Sequence, residues 1–298
     1  MSYVKKWGGV LVFGIILFLS FARIPAQAVA VNTGRKELSY FESIKDKNVW
    51  NYPSITLYLG NTYINESAYL INDTTYVPLR AAATLAGATV GFDDSTRTAS
   101  VKMENLDMSV TDGSYIVYAN GRPLLSKTPS IILSDGRMYI PVRSLAKALS
   151  FDVEWLPPRS VALHGTATPL QTWEKYYRSD DLYWLSRIIS AESQGEPLLG
   201  QIAVGNVVLN RMRHSDYPNT IWGVIFDRKH GVQFSPVSNG TVYKAPNSDS
   251  IIAAKICLEG YSINTGILYF VNPRVSPSNW IINNRAFYAK IGNHAFYY

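Results

Sequence analysis

Glu192 is the residue whose type and position most directly suggest chemistry. Leu182, Leu185 and Ile189 recur at three- and four-residue spacing after Asp180 and Asp181, which line one face of a helix whose N-terminus the two acids favour. The next position on that face is Glu192. A carboxyl where the period calls for an apolar side chain is costly to ionise once buried. Its pKa rises and it stays protonated near neutral pH, as a general acid must. Periodicity leaves a second outcome open, in which the helix frays at Gly195 and Glu192 points to water. Glu196 reads as a cap or first-turn residue, since Pro197 beside it suits the first turn of a following helix. That helix runs from Leu198 to Arg211, with Gln201 on the face of Val204 and Val208, so its amide either approaches Glu192 or faces solvent.

Other chemistries lack their residues. The single cysteine, Cys257, excludes an intramolecular disulfide and lies in the apolar helix-like run Ile251 to Leu258, where a small buried thiol is expected. A Cys257/His294 nucleophile would need a helix N-terminus or a cationic neighbour to form its thiolate. The four histidines, His164, His214, His230 and His294, are scattered. There is no His-Glu-x-x-His for a zinc peptidase or amidase and no Gly-x-Ser-x-Gly elbow for a serine hydrolase. We therefore expect no metal and no cofactor.

Ala191-Glu192-Ser193-Gln194-Gly195-Glu196-Pro197, Gly200-Gln201-Ile202-Ala203-Val204 and Leu209-Asn210-Arg211 resemble the opening of the SleB-type cell-wall hydrolase family, which includes spore-cortex-lytic enzymes. The likeness continues through Phe234-Ser235, Gly240, Ala253 to Gly260, Gly266 to Pro273, Trp280 and Ile291 to Tyr297. Ser193-Gln194 stands where the family more often has Ala-Arg, and Cys257 where Ala is usual. The resemblance implies a mainly α, lysozyme-like catalytic domain with a small β element. It also implies a lytic transglycosylase acting on the glycosidic bond between N-acetylmuramic acid and N-acetylglucosamine, with Glu192 as the catalytic carboxyl. A hydrolytic outcome stays open, because Glu196, Asp216, Asp227, Asp249 and Glu259 cannot be placed relative to Glu192 by spacing. So does a non-catalytic wall-binding or germination role. Gln201, Ser235, Tyr269, Asn272, Trp280 and His294 are the polar or aromatic members of these motifs that would line a sugar groove, rings stacking on pyranose faces and amides binding acetamido groups. Each also has an ordinary structural reading.

Upstream, Thr75-Tyr76-Val77-Pro78-Leu79-Arg80 recurs 63 residues later as Met138-Tyr139-Ile140-Pro141-Val142-Arg143. Each copy leads into a helix-forming stretch and two extended segments, and follows extended segments bracketing Gly60-Asn61 or Asn120-Gly121, the latter a hairpin signal. Each unit reads as β-hairpin, strand, helix, strand, strand. The pair resembles the copper-amine-oxidase N-terminal-like domain. Copper is not implied, since the region offers only His164 and no cysteine. Arg80 and Arg143 read as packed structural residues, and the domain as a tether to wall polymer or a protein partner.

Lys5 and Lys6 before the apolar run Trp7 to Ala22, followed by Ala26 and Ala28, read as a signal peptide, the run being shorter than the roughly 20 residues that span a bilayer. Removing Lys5, Lys6 and Arg23 takes the formal charge from +6 to 6 − 3 = +3. That balance suits an anionic wall polymer, whereas the absence of Lys/Arg blocks argues against nucleic acid. The expected organisation is α+β: a signal peptide over 1–30, a linker over 31–52, the repeat domain over 53–165, a polar linker over 166–178 that marks a domain edge, and the catalytic domain over 179–298. The expected setting is secreted, at the cell wall or spore envelope, with peptidoglycan glycan strands as partner and no stable membrane span after cleavage.

Overall fold

The computed structural model describes residues 48–229, 231–276 and 279–298, so the expected signal peptide and most of the first linker lie outside the described residues. The fold is mixed α/β, β-rich in its N-terminal part. In chain order come β1 (Ser54–Leu59), β2 (Thr62–Ile71), β3 (Thr74–Pro78), α1 (Leu79–Leu85), β4 (Thr89–Asp93), β5 (Thr98–Met103), β6 (Leu106–Thr111), β7 (Ile116–Ala119), β8 (Arg122–Leu125), β9 (Ile131–Ile132), β10 (Met138–Pro141), α2 (Val142–Leu149), β11 (Asp152–Leu156) and β12 (Ser160–His164). Alternation sets the strand faces: in β6, Leu106, Met108 and Val110 are buried while Asp107 faces water. Both helices start directly after a strand-ending proline, Pro78 or Pro141.

The strands exchange partners between the two units. A seven-stranded sheet runs β11-β12-β1-β2-β3-β10-β9, and a five-stranded sheet runs β4-β5-β6-β7-β8. Thus β4–β5 of the first unit extends the sheet of the second unit's β7–β8 hairpin, while β11–β12 returns to β1, which pairs with β12 in parallel. One apolar cluster, including Leu57, Val77, Leu79, Val101, Met108, Leu145 and Leu149, fills the space between. The β7–β8 turn is a two-residue hairpin with Asn120 at φ 52° and Gly121 at φ 72°, the left-handed pair an Asn-Gly turn provides. Residues 48–52, within the expected first linker, are anchored by Val49, which is buried against Tyr69, Tyr76, Ile131 and Tyr139.

The C-terminal part contains α3 (Trp173–Tyr176), α4 (Ser179–Ser193), α5 (Leu198–Arg213), α6 (Ile221–Phe226), α7 (Ser235–Asn239), α8 (Ser248–Leu258), β13 (Tyr269–Val271), α9 (Trp280–Asn284), β14 (Phe287–Ile291) and β15 (His294–Tyr297). Pro197 caps α5 rather than entering its first turn. α4, α5 and α8 form the core, α5 buried on nearly every side. Side chains of α4 and α8 close on α5 at Gly205, where a Cβ would lie 2.7 Å from Cys257 Sγ and 2.8 Å from Ile189 Cδ1. Polar side chains on α5 are satisfied by the loop before β13: Asn206 Nδ2 donates to Tyr261 O (2.9 Å), and Asn210 Nδ2 to Asn264 O and Ile267 O (both 2.9 Å). The strands β13, β15 and β14 make a small antiparallel sheet.

The polar stretch before α4 is no loose spacer. Ala167 and Leu170 pack on the first core, Asn120 Nδ2 donates to Leu170 O (2.6 Å), and Trp173 N donates to Asn120 O (3.1 Å). Ile116 of β7 belongs to the helical core, and Tyr118 and Leu125 pack against it. At the centre of this junction Glu259, just beyond α8, receives Arg122 Nε (2.6 Å) and Nη2 (2.9 Å), Tyr177 OH (2.6 Å) and Lys147 Nζ (3.0 Å). Burial alone would raise the Glu259 carboxyl, but these partners outweigh it and hold it below the ordinary range. Arg122 also stacks over Tyr176, and Lys255 over Trp173, where burial lowers the ammonium to about 8.

Candidate active site

Glu192 occupies the last turn of α4, half-buried, with Leu185 and Ile189 of the same face fully buried beneath it. Burial pushes its carboxyl up to about 7, and Arg211 pulls in the opposite direction. The negative end of the α4 dipole also disfavours the ionised form. Arg211 comes from the last turn of α5 and is itself buried. Its Nε donates to Leu268 O (2.8 Å) and its Nη1 to Gln233 Oε1 (3.5 Å), fixing it between α5 and the entry to β13. The guanidinium lies 5.2 Å from the ring centre of Tyr217, 5.3 Å from Phe234 and 5.5 Å from Tyr269. Burial lowers the Arg211 pKa, while Tyr217, Tyr269, Asp227 and Glu192 act to raise it. A buried cation in this position favours the ionised form of Glu192, and its own hydrogen bonds hold it in place.

Tyr269 joins this cluster: Tyr217 OH donates to Tyr269 OH (3.2 Å), and the Arg285 guanidinium lies 4.4 Å over the Tyr269 ring. Arg285 also sits 5.2 Å over Trp280, an exposed ring at the start of α9, so Trp280 belongs to the same rim. Ser235 is exposed at the start of α7, next to Phe234, which packs on Phe270. The remaining predicted site residues have structural surroundings. Asn272 shapes the turn after β13, its Oδ1 accepting from Arg274 N (3.1 Å). His294 is buried, 5.3 Å from the Phe270 ring, and burial lowers its pKa while Glu196 acts to raise it.

Gln201 does not face a cleft. It is 1% exposed, its Nε2 donating to Glu196 O (3.0 Å) and its Oε1 accepting from Ser250 Oγ (2.7 Å), so its amide joins α5, α8 and the α4–α5 turn. Glu196 is not merely a cap: its carboxylate accepts from Asn293 N (2.8 Å) and Asn293 Nδ2 (3.1 Å), tying that turn to the β14–β15 hairpin. Cys257 is buried, its Sγ within 3.4 Å of Ile202 O, and burial pushes the thiol pKa far up, which removes it as a nucleophile. Sequence reading missed Arg211, Tyr217, Gln233 and Arg285 as site residues. For Arg211 a signal existed, because it follows Val207 and Val208 at four and three residues on a helix buried all round. Among the described residues no cluster of three His, Cys, Asp or Glu side chains is arranged to hold a metal ion, and no helix is long and apolar enough to cross a membrane.

Comparison with known proteins matches residues 195–297 to the Cell Wall Hydrolase family and residues 58–161 to the copper amine oxidase N-terminal domain. The first match opens three residues past Glu192. A spore cortex-lytic enzyme of Bacillus cereus is 37% identical over 120 residues, covering 40% of this chain and 45% of that protein. The cell wall hydrolase CwlJ of Bacillus subtilis is 29% identical over 126 residues, which is 40% of this chain and 85% of that protein. Among solved structures, the catalytic domain of the germination-specific lytic transglycosylase SleB from Bacillus anthracis is 36% identical, covering 41% of this chain and 97% of that one, with a TM-score of 0.38. The chain spans about half the length of the first curated relatives it matches. The C-terminal part of this chain is therefore a domain of the cell wall hydrolase family, joined here to a copper amine oxidase N-terminal domain.

Proposed function

We propose that this chain cleaves the glycan strands of peptidoglycan, with Glu192 as the catalytic acid. One observation carries the reading: Glu192 is a carboxyl raised to about 7 by burial, held at a helix end within the field of the buried Arg211, whose guanidinium lies against Tyr217. The bond is the one between N-acetylmuramic acid and N-acetylglucosamine. Glu192 protonates the leaving oxygen as C1–O breaks. The muramic C6 hydroxyl attacks C1, and the Glu192 carboxylate, steadied by Arg211, takes the hydroxyl proton. The product ends in 1,6-anhydro-muramic acid, and Glu192 is returned to its acid form. Tyr269 and Trp280, bridged by Arg285, form the rim on which sugar rings stack. The similarity to a spore cortex-lytic enzyme supports a substrate in the wall of a spore or of the cell that makes it, and a setting outside the cytoplasm.

A hydrolytic outcome is the second reading, because Asp227 shares the electrostatic surroundings of Arg211 with Glu192 and is the carboxylate from which water would be activated. Mass analysis of the fragments released from purified peptidoglycan decides between them. Anhydro ends, lighter by one water, support the one-acid mechanism. Reducing muramic acid as the sole end overturns it in favour of hydrolysis, and no release at all overturns the function.

A further inference from the structure

An open groove of about 860 Å³ lies between β2, α1 and β4 of the first repeat unit and the β9–β10 turn of the second, and none of its lining residues comes from the C-terminal part. Tyr63, Leu85 and Phe92 stand on its rim, 55%, 43% and 39% exposed. Between them lie Asn65, Arg80, whose Nη1 donates to Val90 O (3.1 Å), and Arg137, which pairs with Glu66.

The internal repeat gives this groove a counterpart. At the 63-residue offset Arg80 and Thr84 of α1 correspond to Arg143 and Lys147 of α2, and by its place as the first residue after the two-residue hairpin turn Thr62 of β2 matches Arg122 of β8. In the second unit the face made by β8 and α2 is covered: α8 packs on β8, and Arg122 and Lys147 grip Glu259. In the first unit exposed threonines replace those two cations, and among the described residues no element covers the face. One copy of the surface holds the C-terminal domain and the other is left open.

We infer that the open groove binds a peptidoglycan glycan strand, as a second site remote in sequence from Glu192; this rests on the proposed function for the identity of the polymer. Isolated exposed rings separated by polar side chains match pyranose faces that alternate with acetamido groups. The two guanidiniums match the carboxylates of the stem peptides, and such a carboxylate competes with Glu66 for Arg137. The volume is that of a site for a bound ligand, and the apolar surface is broken by these polar groups rather than continuous as at the centre of a protein interface. The enzyme would thus be held on the polymer by one domain while the other cuts it.

The test uses the full chain carrying Glu192→Gln, so that binding is read without cleavage, and purified insoluble peptidoglycan as the probe. Adding Tyr63→Ser with Phe92→Ser should weaken co-sedimentation about tenfold, at an unchanged melting temperature, since both side chains lie at the surface. Arg137→Gln serves as a second variant, expected to weaken binding to walls that carry stem peptides more than to walls stripped of them. In the cleavage-competent chain the double substitution should slow release from insoluble walls and leave release from short soluble glycans unchanged. Undiminished binding by both variants overturns the inference, as does a loss confined to walls that retain attached proteins, which would assign the groove to a protein partner. Failure of the wild type to release any fragment would instead overturn the proposed function, while the binding comparison, which does not use Glu192, still decides the groove.

Discussion

At Glu192, burial raises the carboxyl to about 7 while Arg211 opposes the rise. The protonated fraction needed for general acid catalysis falls as pH rises through that value, so the alkaline limb of kcat/KM should lie near pH 7. Replacing Arg211 by Met removes the opposing cation, raises the Glu192 pKa and should move that limb upward. Arg211→Lys should restore it in part, and a limb that stays in place in the Met variant removes Arg211 from the site. Glu192→Gln should lower activity by about 10²–10⁴-fold. The same substitution should have a stability signature of a definite sign. The folded-state pKa of Glu192 is raised above its unfolded value, so between about 4.5 and 7 the native state holds more protons than the unfolded one. Stability contributed by the wild-type carboxyl is therefore lost as pH rises through this window. The Gln variant should melt higher than wild type at pH 8, by roughly 1–3 kcal/mol, and the difference should vanish near pH 4; equal melting at both would mean that the carboxyl is solvated.

Between the elements, Glu196 links the α4–α5 turn that follows Glu192 to the hairpin of β14 and β15. Gly292 makes that contact possible. It sits at φ 60°, and a Cβ there would collide with Glu196 Oε2. Gly292→Ala should destabilise the fold by about 1–3 kcal/mol, and in the Glu196→Ala background the added cost should shrink to that of the left-handed backbone and the tight approach to Pro197 Cδ, 3.0 Å away. A double-mutant cycle measured by denaturant unfolding checks this, and additive costs would show that the two residues do not meet. The parts of the fold that depend on local period were legible in the sequence. Leu185 and Ile189 are buried on the face where the spacing puts them, the Asn120-Gly121 hairpin turns where it should, and each proline-ended strand runs straight into its helix. What depends on distant partners was not. The exchange of β4–β5 and β11–β12 between units leaves no local trace, because a strand's alternation is the same whichever neighbour it pairs with. Gln201 has the spacing of a cleft-facing amide, yet its partner Ser250 lies on a helix that no spacing rule brings near. Arg285 was unreadable for the same reason, since its place is set by Tyr269 and Trp280 from separate elements.

Across the whole molecule, the two cores are joined where the β7–β8 ribbon contributes Ile116 to the helical core and where Glu259 is bound on three sides. In sequence Glu259 has only a turn, cap or exposed-face reading, and 166–178 reads as a polar linker at a domain edge; packing makes the first an interdomain anchor and the second part of the joint. The side chains of Arg122 and Glu259 are 4% and 3% exposed, so removing one partner leaves the other as an uncompensated buried charge. Breaking such a pair typically costs about 3–5 kcal/mol. Glu259→Ala should therefore weaken the whole chain by that order and, by uncoupling the cores, split its denaturant unfolding into two transitions. Replacing Arg122 by Met in the same chain removes the stranded buried cation and should recover much of the loss, since Lys147, the cation that remains, is 42% exposed and turns to solvent. Acid should act as the substitution does: the Glu259 pKa is held below its unfolded value, so its stabilisation is present above the ordinary carboxylate range and disappears as pH falls through the lowered folded value. A fragment beginning near Tyr176 lacks Ile116, Arg122 and Lys147 altogether, and should unfold at lower denaturant than the helical part of the intact chain. A single transition at unchanged midpoint in Glu259→Ala, together with a fragment as stable as the whole, would show that the junction contributes nothing and that the helical domain stands by itself.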